Sequence, residues 1–288
     1  MKDRPIFGVI GGSGVYHMSS LKNTEELVIK TPFGDPSSPI IVGELNGKKV
    51  AFLARHGIGH IYMPSEVNYR ANIFALKSIG VTQIISISAC GSLRQDFSPG
   101  HIVIPDQLVD LTHKRERTFF GEGVVAHVGA AEPFCSRLSQ HVQKSLENTG
   151  ANIHKGGAYI TIEGPRFSTK AESNLYREWG MSIIGMTASP EAFLAREAEI
   201  CYATMAHVTD YDVWHISEQP VTVEMVIEVL KKNTEIAALA IENLARLLSV
   251  DDECICHNAL SNAIMTDKRQ ITEKTKKRLH LLINRYLA

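Results

Sequence analysis

Short apolar runs alternating with stretches of helical spacing set the plan of this chain. Ile6-Phe7-Gly8-Val9-Ile10 reads as a buried strand ending in Gly11-Gly12-Ser13-Gly14. Residues 40–45 and 50–53 flank Asn46-Gly47, a pair suited to the positive φ angles of a two-residue hairpin turn. Further β-rich runs at 81–88, 102–104, 158–162, 182–185 and 200–208 are interleaved with helical patterns at 65–78, 133–148, 170–179 and 190–199. Residues 221–248 form the longest helical pattern, with Val223, Val226, Val229, Leu230, Ile241, Leu244 and Leu248 on one wide apolar face. Residues 250–266 carry no period, and 271–287 predicts a last helix. Its Lys274, Lys276, Lys277 and Arg278 read as a solvated face rather than a nucleic-acid patch. Strands alternating with helices predict an α/β fold. With no repeat, linker or low-complexity tract, residues 1–288 read as one domain.

Composition narrows the function class without naming it. At 44% hydrophobic and 21% charged residues the chain is an ordinary globular protein, and a net charge of -1 offers no attraction to nucleic acid or anionic lipid. No apolar run approaches the about 18 residues of a membrane span. Met1-Lys2-Asp3-Arg4-Pro5 leads into a strand rather than a signal peptide, so a cytoplasmic protein without membrane partners is expected. Five cysteines, an odd count, do not make a secreted disulfide framework. Cys90 and Cys201, in apolar segments, read as small hydrophobes. Cys254-Ile255-Cys256 reads first as two inert thiols and next as a structural or redox-active disulfide. A metal site comes last, since no second Cys or His pair stands at zinc-finger spacing apart from His257.

Chemistry concentrates where strands end. Thr209-Asp210-Tyr211-Asp212 follows the 200–208 run, and two carboxylates at the end of a buried strand are costly unless something uses them. A ligand that both accepts and donates protons, such as the N7 and N6 edge of adenine, suits such a pair. Gly11-Gly12-Ser13-Gly14 can turn successive backbone N–H groups toward an anion, although it equally describes a tight structural turn. Arg55-His56-Gly57 adds a guanidinium whose planar fork matches phosphate. Ser88-Ala89-Cys90-Gly91-Ser92 and Met186-Thr187-Ala188-Ser189 end two more strands in small, donor-rich turns. Such turns converge at the carboxyl edge of a sheet.

Six segments then resemble a known family. Ala54-Arg55-His56-Gly57, Val67-Asn68-Tyr69-Arg70-Ala71-Asn72-Ile73 and Ala89-Cys90-Gly91-Ser92-Leu93-Arg94 look like the trimeric purine nucleoside phosphorylases. Thr161-Ile162-Glu163-Gly164-Pro165-Arg166-Phe167-Ser168, Gly185-Met186-Thr187 and Thr209-Asp210-Tyr211-Asp212 narrow the likeness to the branch acting on 5′-methylthioadenosine. It spans about residues 6–248 in order, and the extension 249–288 carries no matching motif. The resemblance implies a central mixed, twisted sheet, partly barrel-like, flanked by helices. It implies a homo-oligomer, trimer or dimer of trimers, that takes methylthioadenosine and phosphate and needs neither cofactor nor metal.

Carried over by residue, the likeness implies a phosphate site of Ser13, Arg55, His56, Ser88, Ala89 and Thr187. Ser13 stands where the family usually has Thr and keeps the hydroxyl. Met186 would lie against the ribose and Phe167, otherwise a core aromatic, near the purine. Asp210 would protonate adenine N7 and Asp212 support N6. Relatives that act on 6-oxopurines commonly have Asn at the Asp210 position, so the carboxyl argues for adenine. Val223 and Val226 would offer hydrocarbon to the methylthio group, unless they are plain core valines. His127 resembles a residue that reaches the 5′ pocket from a neighbouring subunit, with a surface histidine as the other reading. The implied reaction is phosphorolysis with inversion at C1′. A phosphorylase for inosine or guanosine is the main alternative, and a nucleosidase or a catalytically silent nucleoside-binding protein are the others.

Overall fold

The computed structural model describes residues 4–12, 18–215, 223–249 and 253–287, without the side chains of 225–232. Its first strands are β1 (Phe7–Gly11), β2 (Lys22–Leu27), β3 (Ile40–Leu45) and β4 (Lys48–Ala54), followed by α1 (Tyr69–Ser78) and β5 (Gln83–Ser92). β6 (Ile102–Ile104), β7 (Gln107–Asp110), α2 (Ser136–Leu146), β8 (Ile153–Lys155) and β9 (Ala158–Thr161) come next. α3 (Lys170–Glu178), β10 (Ile183–Gly185), α4 (Ala188–Glu197), β11 (Cys201–Asp210), α5 (Val223–Leu247) and α6 (Glu273–Leu287) complete the order.

The predicted hairpin forms at Asn46-Gly47, with φ of 52° and 75°, the left-handed pair of a type I′ turn. α1 begins four residues later than its apolar pattern suggests, because the Asn68 side chain accepts from the Ala71 N–H and caps it there. Three strands escaped the pattern. β2 is an edge strand of the sequence Lys22-Asn23-Thr24-Glu25-Glu26-Leu27, almost wholly exposed, so it shows no alternation to read. β7 and β8 have four and three residues, too short for a period.

The sheet is mixed. β4, β1, β5 and β11 run parallel, whereas β2–β3, β3–β4, β5–β10 and β6–β11 pair antiparallel. Buried side chains on one face pack with α1, α4 and α6, and those on the other with α2 and α5. The expected barrel-like character is corrected by the topology. The sheet branches at β5 and stays open among the described residues, with β2, β7 and β8 as free ends.

That branching creates the place for a site. β1 pairs with β5 only as far as Ser86, and β10 joins the same edge only at Gly91. Between them Ile87–Cys90 has no strand partner on that side among the described residues, which leaves an opening beside it. A buried N–H without a partner is costly, and such an edge invites a ligand.

Candidate functional site

A cavity of about 670 Å³ opens at this fork. Its wall includes Arg55 and His56 after β4, Ser88 and Ala89 on β5, Phe167 before α3, Met186 and Thr187 between β10 and α4, and Asp210 and Asp212 at the end of β11. Nine residues expected from five separate segments thus meet in one volume. Ser13 lies outside the described residues, as does the side chain of Val226. Val223 sits 58% exposed on the first turn of α5 and is not part of the wall. His127 is exposed, its backbone tied to Ala263, and it too stands away from the cavity.

The carboxylate pair is held by local geometry. β11 slips register against β5 between Val208 and Asp210, a bulge that re-aims the strand end into the cavity. Asp210 Oδ1 accepts from the Asp212 N–H at 2.8 Å, and Oδ2 accepts from the Thr209 hydroxyl at 2.6 Å. Asp212 adopts φ 50°, a left-handed conformation that Asp tolerates better than bulkier residues. Burial pushes the Asp210 carboxyl up to about 6 and raises that of Asp212 as well; repulsion between the two is a smaller contribution at Asp210. A group poised near neutrality can give up a proton and take it back. Gly91 makes room: a Cβ there would stand 2.8 Å from Asp210 Oδ1 and 3.3 Å from the Asp212 Cβ.

The opposite end, where the anion is expected, has an unexpected feature. The Arg55 fork is already occupied, with Nε and Nη2 each 2.8 Å from a Glu191 oxygen and further bonds to Ser86 Oγ and the carbonyls of Ile10 and Ile87. Burial alone would lower the guanidinium's affinity for its proton, but Glu191 keeps it charged. One Nη1 hydrogen remains uncommitted among the described residues, so Arg55 frames the cradle more than it charges it. His56 donates from Nδ1 to the Tyr62 carbonyl at 2.9 Å. Burial and the nearby Arg55 push its imidazole down to about 4, so it is neutral at pH 7 with Nε2 as the lone-pair nitrogen. Thr187, 6% exposed, stands just before α4, and its side chain makes no capping bond; Ser189, with an extended backbone at φ -103° and ψ 139°, interrupts the first turn of that helix.

Three wall or support residues were missed. His207, on β11 and 1% exposed, has no partner for either ring nitrogen among the described residues, and burial lowers it to about 4. It hid inside an apolar run. Asn233 of α5 lines the same volume, and its Nδ2 has no partner among the described residues; it is a lone amide in a long helix with no spacing signal. Arg115, in a loop with no motif, donates to the carbonyls of Glu163, Met186 and Ser189 at 2.8, 2.6 and 2.8 Å. It thereby fixes the loop after β9 against the turn after β10. Gly164, at φ 69°, completes that contact, since a Cβ would stand 2.6 Å from Met186 Sδ. The compact grouping of possible metal ligands among the described residues is a set of four thiols outside this wall.

Known proteins are similar to this chain. A family model described as the phosphorylase superfamily matches residues 6–246. An S-methyl-5′-thioadenosine phosphorylase of Geobacter sulfurreducens is 52% identical, covering 98% of this chain and 99% of the relative. A methylthioadenosine phosphorylase from an antarctic soil metagenomic library superposes with a TM-score of 0.93 at 47% identity, over 98% and 99% of the two chains. A methylthioadenosine phosphorylase of Schistosoma mansoni in complex with adenine gives 0.83 at 37%, over 88% and 96%.

Proposed function

The chain belongs to the phosphorylase superfamily, and on that premise we propose that it is a pentosyltransferase that cleaves S-methyl-5′-thioadenosine with phosphate. The products are adenine and 5-methylthioribose 1-phosphate, inverted at C1′. The observation that carries this reading is the buried Asp210–Asp212 pair facing the same cavity as the cradle of His56, Ala89 and Thr187. Relatives at about half identity over nearly the whole chain support the substrate.

Breaking the glycosidic bond leaves an electron-rich base and an oxocarbenium-like sugar. Asp210 holds its proton to about pH 6 in the free protein, and a purine that displaces the remaining water raises that further. It delivers the proton to N7, while Asp212 accepts from the N6 amine. General acid catalysis of this kind contributes about 10²–10⁴-fold. Phosphate, the co-substrate, rests on the free edge of β5 at Ser88 and Ala89, the Thr187 end of α4, the spare Arg55 hydrogen and Ser13. Neutral His56 accepts a hydrogen bond from hydrogen phosphate rather than supplying charge. Anion and sugar cation then face each other in a site that excludes water, and positioning lowers the rest of the barrier. No protein nucleophile or cofactor takes part in the chemistry.

Met186 lies under the ribose and Phe167 beside the purine. Val223 and Val226 offer hydrocarbon to the methylthio group, and His127 reaches the 5′ end from a neighbouring subunit. The working form is accordingly a homo-oligomer, trimer or dimer of trimers, acting in the cytoplasm as one domain per chain. Adenine release from methylthioadenosine, with and without phosphate and beside inosine, tests the reading. Phosphate-dependent release with little inosine cleavage is expected. Preference for inosine would restore the 6-oxopurine alternative, and release without phosphate would make the protein a nucleosidase.

A further inference from the structure

Far from the cavity, four cysteines distant in sequence come together. Cys135 is the N-cap residue of α2, Cys201 opens β11, and Cys254 and Cys256 lie at the 3₁₀ turn Ile255–Asn258 of the C-terminal segment. All four are free thiols. Their sulfurs all lie within 4.8 Å of one another, with Cys135 and Cys254 3.6 Å apart. Four thiolates about 2.3 Å from one ion at tetrahedral angles stand about 3.8 Å apart, so one ion fits among them.

We propose that Cys135, Cys201, Cys254 and Cys256 bind one zinc ion in a structural tetrathiolate site that fastens the C-terminal segment to the sheet. This departs from the expectation that Cys201 packs as a small hydrophobe and that Cys254 and Cys256 are inert or paired as a disulfide. All four thiols are free and every sulfur is close to every other, as one shared ion requires. Binding replaces four S–H protons, which pass to solvent, and leaves a net charge of two minus on the centre.

The surroundings are built to accept that charge. Arg196 Nη1 stands 3.2 Å from Cys256 Sγ and Arg137 Nη2 3.6 Å from Cys201 Sγ. The Leu138 N–H donates to Cys135 Sγ at 3.4 Å from the first turn of α2, where the helix dipole also favours a thiolate. His257 Nε2 lies 3.5 Å from Cys201 Sγ. Guanidinium and amide donors aimed at sulfur suit thiolates bound to a cation, and such outer contacts tune and orient metal ligands. Three of the cysteines are buried; Cys254 is half-buried beside the 85% exposed Ile255, which leaves an entry path for the ion.

The full-length protein, purified without added metal, should contain about one zinc per chain by elemental analysis, the count of a closed tetrathiolate site. An organomercurial that caps the thiols should release it in step. Cobalt(II) exchanged into the site should show thiolate charge-transfer and tetrahedral ligand-field absorption. Cys254→Ser together with Cys256→Ser should cut the bound zinc about tenfold or more, because two ligands are lost. Should that variant fail to fold, metal content and the cobalt spectrum of the unaltered chain still decide. Iron in place of zinc, a metal-free chain whose thiols all titrate, or an intact mass short of two hydrogens per disulfide each overturns the proposal.

Discussion

β11 carries two different kinds of chemistry at its two ends. Cys201 begins it, packed among soft sulfur ligands and arginines; Asp210 ends it, facing a cavity with hard oxygen acids. About 30 Å of strand separates them, at the usual rise per residue. All ten residues between and including them are buried. At the thiol end, guanidinium and amide donors are aimed at the sulfurs, which is what a fastening needs. The carboxylate end keeps unmet polar groups, at His207 and Asn233 among others, which is what a ligand site needs. One rigid strand thus lets stability and catalysis be altered separately.

The sharpest way to break this division is at the pocket. Asp210→Asn keeps the shape and removes the acid, so kcat/KM for methylthioadenosine should fall by about 10²–10⁴-fold. Adenine release measures it, and metal content should not change. Unaltered turnover would remove Asp210 from the mechanism. Gly91→Ala should follow, with kcat down about 10²-fold, because a misplacement near 1 Å at a reacting group costs that much. Its Cβ would stand 2.8 Å from Asp210 Oδ1.

The other end should answer in stability alone. Cys201→Ser should lower the thermal midpoint by about 2–4 °C per kcal/mol lost for a chain near this size, with kcat/KM at 25 °C within about threefold. A parallel collapse of activity in the still-folded variant would show that the two ends are coupled. The smallest effect is a pH dependence. Burial pushes the Asp210 carboxyl up to about 6 in the folded chain, against an ordinary value of 3.8. Between those values the folded chain holds more protons than the unfolded one, so this contribution is full below about pH 4 and is lost as pH rises through 6, by about 2–3 kcal/mol. Denaturant titrations across that window should show the loss, and Asp210→Asn should flatten it. kcat/KM should also decline above about pH 6 as the free acid ionises, with the limb for kcat displaced upward once substrate covers the carboxyl.

The cationic run of α6 shows a local pattern holding in the fold. Lys274 and Lys277 are exposed, Lys276 pairs with Glu273 and Arg278 with Glu122, while Thr275, Leu279, Leu282 and Ile283 face the core. Helical spacing alone assigns those two faces. The exposed β2 had no such signal, because its partner β3 rather than its own sequence makes it a strand.

By itself the sequence determined what depends on neighbours along the chain. The Asn46-Gly47 turn, the apolar strands, the small-residue turns at their ends and the adjacency of Asp210 and Asp212 are all of this kind. Tertiary structure decided what depends on residues far apart in sequence. It filled the Arg55 fork with Glu191, turned a barrel-like expectation into an open, branching sheet, and exposed the unpaired edge of β5 between β1 and β10. It also drew four cysteines from positions 135, 201, 254 and 256 into one cluster. No spacing rule can see such a set, because its geometry is fixed by how α2, β11 and the C-terminal segment pack together and not by the chain that links them.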